Sequence, residues 1–191
     1  MKQYNNILKI VVVSLLFLCV PRIVNAQRIS VSTNAMSWAN FGTINAEGAV
    51  SVSKHFTVFA GAKYNPWTIR TKTQYVFMNQ QATGYVGAKY WPWHVYSGWW
   101  IGAKAQFENV KQAGLFSEQM IKGNALGAGL SVGYSIIITP HVNVDFGVGG
   151  WGGRVLNYSK YTNSYDNVLI DSGSKNFAFL DNIIVAFAYV F

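Results

Sequence analysis

Along most of this chain an apolar residue recurs at every second position, with glycine, serine or a charged residue between. From Leu126 to Ile136, Leu126, Ala128, Leu130, Val132, Tyr134 and Ile136 alternate with Gly127, Gly129, Ser131, Gly133 and Ser135. Val142, Val144, Phe146 and Val148 alternate with Asn143, Asp145 and Gly147 in the same way. So do Trp99, Ile101, Ala103, Ala105 and Phe107 with Trp100, Gly102, Lys104, Gln106 and Glu108. Successive side chains of a β-strand point to opposite sides, so this period of two predicts strands with one apolar face.

The pattern divides the chain into eight segments, at 28–37, 44–53, 56–67, 80–91, 97–109, 123–137, 141–153 and 177–191. Most hold 10 to 15 residues, where a strand of an ordinary sheet has about 5 or 6. A tilted strand that crosses a bilayer needs roughly 9–11. The connections alternate strictly. Those at 37–43, 68–79, 111–122 and 154–176 are long, and those at 54–55, 92–96 and 138–140 are short. Bacterial outer-membrane barrels have short periplasmic turns, longer extracellular loops and an even number of strands. The expected fold is therefore all-β: an eight-stranded antiparallel up-and-down transmembrane β-barrel with both termini on the periplasmic side.

The N-terminus reads as an export signal. Lys2 and Lys9 precede the 11-residue apolar run Ile10 to Val20, and Val24-Asn25-Ala26 supplies small or compact residues at a cleavage site. That layout predicts a signal peptide over 1–26 and a mature domain over 27–191, cleaved near Ala26. The run is too short for a membrane-spanning helix, which takes roughly 20 residues. Cys19 raises a lipoprotein alternative, but Leu18 stands where such sites carry a small residue. Cys19 is also the only cysteine, so the mature domain would have no disulfide and no thiolate. The formal charge is +8, and it falls to +5 when Lys2, Lys9 and Arg22 leave with the signal peptide. The basic residues are scattered singly, which argues against nucleic acid and favours anionic lipopolysaccharide as a partner.

Composition decides which face turns inward. Hydrophobic residues make up 51% of the chain and charged residues only 12%. A soluble lipocalin-like barrel, the alternative carrier fold, would need many charges on its outer face. Here the less apolar face is sparse in charge and rich in glycine, which suits the interior of a narrow barrel filled by side chains. Phe59, Tyr85, Trp100 and Trp151 are expected inside, opposite glycines. Glu47, Lys63, Lys89, Lys104, Glu108 and Asp145 fall on the same face, three of each sign. Buried charges must be paired, so these six are expected to form structural ion pairs in the lumen. Aromatic residues near strand ends (Trp38, Phe41, Tyr64, Trp67, Tyr90, Trp91, Trp93 and Trp99) fit interfacial girdles. Phe187, Tyr189 and Phe191 close the last strand in the form that barrel-assembly machinery reads in its clients.

Chemistry-bearing patterns are few. His55, His94 and His141 all fall in or beside the short turns, away from the outer leaflet where an outer-membrane lipid hydrolase or acyltransferase would place its base. They lie on three separate turns, without the acidic or cysteine neighbours of a metal site. The glycine run from Gly147 to Gly153 lacks the strand-loop-helix context and the Lys-Ser/Thr pair of a phosphate loop. No catalytic residue, cofactor or metal site is expected. An enzyme acting on outer-leaflet lipid stays as the alternative function.

Several stretches carry a family resemblance. Ser32-Thr33-Asn34, the run Ala60-Gly61-Ala62-Lys63-Tyr64-Asn65-Pro66-Trp67, Tyr90-Trp91-Pro92-Trp93, Gly98-Trp99-Trp100-Ile101-Gly102 and the segment from Gly127 to Tyr134 are the residues concerned. Together they resemble a Bacteroidetes family known as domain of unknown function 3575, over nearly the whole mature chain. That resemblance implies a surface-associated outer-membrane protein, accessory to fimbriae or cell-surface assembly, and it transfers no catalytic residue. The expected partners are outer-membrane lipid and lipopolysaccharide, the barrel-assembly machinery, and fimbrial or other surface proteins engaged by four extracellular loops. A monomer is expected.

Overall fold

The computed structural model describes residues 29–70, 76–113, 119–162 and 168–191. The expected signal peptide, with Cys19 and the cleavage site, lies outside the described residues. The described residues form eight strands: β1 Ile29–Asn34, β2 Ile44–Ser51, β3 Phe56–Arg70, β4 Val76–Tyr90, β5 Gly98–Ala113, β6 Gln119–Thr139, β7 Val142–Thr162 and β8 Leu169–Val190. Each pairs antiparallel with its neighbours in sequence, and β1 with β8, so the sheet is a closed barrel. No helix among the described residues is long and apolar enough to cross a membrane, which bears on helices alone.

Alternation sets the two faces as the sequence predicts. Leu130, Ile183, Val86 and Ile101 point outward, exposed by 69%, 61%, 59% and 56%, while Gln106 and Asn143 point inward at 2% and 4%. Phe59, Trp100 and Trp151 are buried in the lumen. They fit because their neighbours have no side chain. Trp100 lies against Gly133 and Gly147, Phe59 against Gly87, and Tyr85 against Gly61. A narrow barrel closes around large rings only where glycine leaves them room.

The strands depart from expectation at their far ends, opposite the termini. Much of the expected loops at 68–79, 111–122 and 154–176 is strand, so β6, β7 and β8 reach 21, 21 and 22 residues. Hairpin pairing continues there without apolar alternation, because the extra length has no greasy face to signal it. β1, by contrast, stops at Asn34. The segment expected as strand to position 37 becomes a short helix, α1 Ala35–Ala39. Asn34 Oδ1 accepts from Met36 N at 3.1 Å, an N-cap bond.

The wall is therefore uneven. β8 pairs with β1 only from Ala186 to Val190, and among the described residues no strand continues β1 beside the rest of β8. Asn34 extends this seam with its side chain, donating to Ile183 O and accepting from Val185 N, each at 3.1 Å.

The hydrophobic core sits at the terminus end. Trp91, Val95, Tyr96, Trp100, Phe59, Ala49 and Val190 are buried together. The turn between β4 and β5, expected as a plain loop, folds back into the barrel mouth. Trp91 was expected in a girdle, but it is 1% exposed. Its indole N–H donates to Thr57 Oγ1 at 3.1 Å. The reason is parity: Lys89 points inward and Tyr90 outward, so Trp91 points inward again.

Candidate functional site

Two regions bring polar residues together: the lumen and the tall ribbon of β5 to β8 beyond it. In the lumen, Glu47, Lys63, Lys89, Lys104 and Asp145 line one cavity of about 50 Å³, with Phe59, Tyr85 and Trp100. Lys89 Nζ donates to Glu47 Oε1 at 2.7 Å. The same ammonium stands 5.0 Å from the ring centres of Phe59 and Trp100, so the aromatic walls add cation–π attraction to the ion pair. Lys104 Nζ lies 5.5 Å from the centre of the Tyr85 ring. Asp145 is 7% exposed, and its Oδ1 meets no hydrogen-bond donor of the protein. Glu108, the sixth residue singled out by sequence, is outside this cavity. It accepts from the amides of Gln81 and Gln106.

The volume fixes what the lumen can do. A water needs about 10–15 Å³ of such space, so the cavity admits a few waters and no organic substrate. Below it, Tyr96 seals the mouth with φ at 63°, a left-handed conformation that costs a bulky residue energy. Its carbonyl is held by Asn143 Nδ2 at 2.7 Å and Ser135 Oγ at 3.2 Å.

The three histidines lie in the terminus-end turns. His55 Nδ1 is 2.9 Å from Trp91 O, His94 Nδ1 is 3.1 Å from Val95 O, and His141 Nδ1 is 3.0 Å from Val190 O. A carbonyl only accepts, so each Nδ1 carries the proton; His55 and His141 thereby tie a turn to a distant stretch of backbone, while His94 bonds within its own turn. Among the described residues there is no group of three or more His, Cys, Asp or Glu able to hold a metal. Phe187 and Tyr189 point outward on β8, and Phe191 follows its last residue; they are exposed by 51%, 47% and 61%.

A family profile described as "Protein of unknown function (DUF3575)" matches residues 11–191. The chain belongs to this family. No curated protein matches it. The DUF3575 chain is a closed barrel that pairs Glu47 with Lys89 inside and exposes Leu130 and Ile183 outside.

Sequence reasoning missed the ribbon. Lys122 Nζ lies 5.1 Å from the centre of the Tyr161 ring, and Lys175 Nζ 5.5 Å from that of Tyr158. Tyr158 donates to Asp171 Oδ2 at 2.9 Å and Arg154 Nη2 to Ser174 Oγ at 3.1 Å. The only available signal was the recurrence of Lys and Tyr in the expected loops.

Proposed function

We propose that the mature domain, from about Gln27, is an outer-membrane β-barrel with a filled lumen that serves as a surface-interaction protein. The supporting observation is the inversion of its two faces. Large apolar side chains such as Leu130 and Ile183 stand exposed on the outside of a closed sheet, while Glu47 and Lys89 pair within it. Water would penalise such an outer surface, whereas hydrocarbon would not. The seal at Tyr96 and the small lumen argue against a pore or a carrier. The tall strands β5 to β8 are what such a barrel would present outside the cell, and fimbrial or other surface assemblies are the partners proposed for them. Export through the signal peptide and insertion by the barrel-assembly machinery, reading Phe187, Tyr189 and Phe191, complete this reading.

The experiment is fractionation of expressing cells, combined with gel mobility with and without boiling. The protein should sediment with outer membranes and migrate faster unboiled than boiled. Recovery in the soluble periplasmic fraction would discard the reading.

A further inference from the structure

On the outer face of the tall wall, polar residues succeed apolar ones rung by rung. Ala105 pairs with Ala128, which pairs with Gly152. On the next outward rung Phe107, Leu126 and Arg154 stand side by side, then Asn109, Asn124 and Asn157, then Lys111, Lys122 and Ser159. Asn109 donates to Asn124 across the strands. Lys111 and Lys122 are directly opposite one another on adjacent strands, and both are exposed. Like charges in that position repel. Among the described residues no carboxylate occupies the outward positions of these rungs. Asp171 pairs with Lys160 and bonds Tyr158, on the inner side of the ribbon. Beneath the basic rungs, Ala103, Ala105, Ala128, Gly150 and Gly152 floor an outward groove of about 750 Å³ walled by Leu130.

We infer that this face seats an anionic phosphoglycolipid of the outer leaflet, its phosphates on Lys111, Lys122 and Arg154 and an acyl chain in the groove. The inference rests on the membrane placement proposed above. Four residues separate the Arg154 rung from the Lys122 rung, roughly 14 Å along the strand at about 3.4 Å each. That is a spread suited to a headgroup with more than one phosphate. The bound anion offsets the repulsion between the two lysines. Arg154 offers the planar fork that binds phosphate oxygens in pairs, and the asparagines add neutral donors. Small residues below let a chain lie close to the backbone where a larger side chain would hold it off.

The test compares the purified barrel in detergent with its Lys111→Gln/Lys122→Gln/Arg154→Gln variant. Each is titrated with diphosphorylated lipid A and with chemically dephosphorylated lipid A, and bound lipid is read by native mass spectrometry. The parent should hold the diphosphorylated form and discriminate against the other. The variant should bind it roughly a hundredfold more weakly, at about 1 kcal/mol per basic residue near an anionic surface. A Lys160→Gln/Lys175→Gln control, whose positions face inward, should bind like the parent. Equal binding by parent and triple variant overturns the site, as does a control as impaired as the variant. All three side chains are exposed, and the unboiled gel shift of the variant checks that its barrel is intact. A parent that is soluble and shows no gel shift sinks the membrane reading itself, an outcome distinct from a folded barrel indifferent to phosphate.

Discussion

At the terminus end of the barrel, Trp91, Trp100, Tyr96 and Val190 are almost wholly buried, and bonds from Asn143 and Ser135 hold the turn that closes the mouth. At the far end, the β7–β8 ribbon beyond Arg154 is largely exposed and held by its ladder, a few hydroxyl bonds and lysine–tyrosine contacts. The contrast follows from what each end can bury. The closed circle of strands forces side chains into one volume and excludes water, so apolar area and hydrogen bonds both count there. The ribbon stands clear of that circle with solvent on both faces, and its interactions are individually weak. Stability should therefore reside at the terminus end, while the far end is free to carry contacts with other molecules.

The strongest way to break this contrast is to overfill the closed end. A Cβ at Gly133 would collide with the Trp100 ring and with Phe146 O. Gly133→Leu should leave no folded barrel, read as loss of the unboiled gel shift. A folded variant would mean that the lumen yields more than close packing allows. Lys89→Met comes next. It strips Glu47 of its 2.7 Å partner in the lumen and should cost about 3 kcal/mol, measured by urea unfolding in detergent. Adding Glu47→Gln should recover most of that loss, because the penalty comes from the uncompensated carboxylate. If the double variant stays as unstable as the single one, the pair is not what the lumen depends on.

The seam between β1 and β8 lies between the two extremes. Asn34 caps α1 and also bonds Ile183 O and Val185 N on the unpaired edge of β8. Asn34→Ala should cost about 1–2 kcal/mol. It should also raise hydrogen exchange at Val185 while leaving the β6–β7 ladder unchanged. Uniform loss of protection would show that the seam is no weaker than the rest of the wall.

How far these features were legible in the sequence depends on the same contrast. Where one face is apolar and the other lines the lumen, alternation marked the strands and sorted Leu130 from Gly129 without any structure. It also put Glu47 and Lys89 on one face. It could not pair them, because they lie on β2 and β4 and meet only through the stagger of the closed sheet. Trp91 was readable by parity from Lys89, yet its place at a strand end suggested a girdle. The fold-back of Tyr96 was not readable, since it depends on Asn143 and Ser135, residues 47 and 39 positions away. The upper ribbon was read as loop because strand pairing in water on both faces leaves no period-two apolar signal. Helix α1 carried a legible cap in Asn34, but five residues are too few to show a helical period.

The smallest effect is expected from shortening the ribbon, and it tests the contrast from the other side. Tyr158 pairs with Gly173, so replacing Ser159 through Ser172 by an Asn-Gly turn leaves that pair to close the hairpin on a two-residue turn. The exchange removes the Tyr158–Asp171 bond and the contact of Lys122 with Tyr161. Each is an exposed interaction of the kind that contributes little. Urea unfolding in detergent should then move by no more than about 0.5 kcal/mol, the range of surface changes that touch no core. The gel shift should be kept. Binding of a surface partner to intact cells should fall, since the removed segment is the tallest part of the wall. A large loss of stability would place part of the folding free energy in the ribbon, and the division between a closed end that holds the barrel and a far end that makes contacts would have to be redrawn.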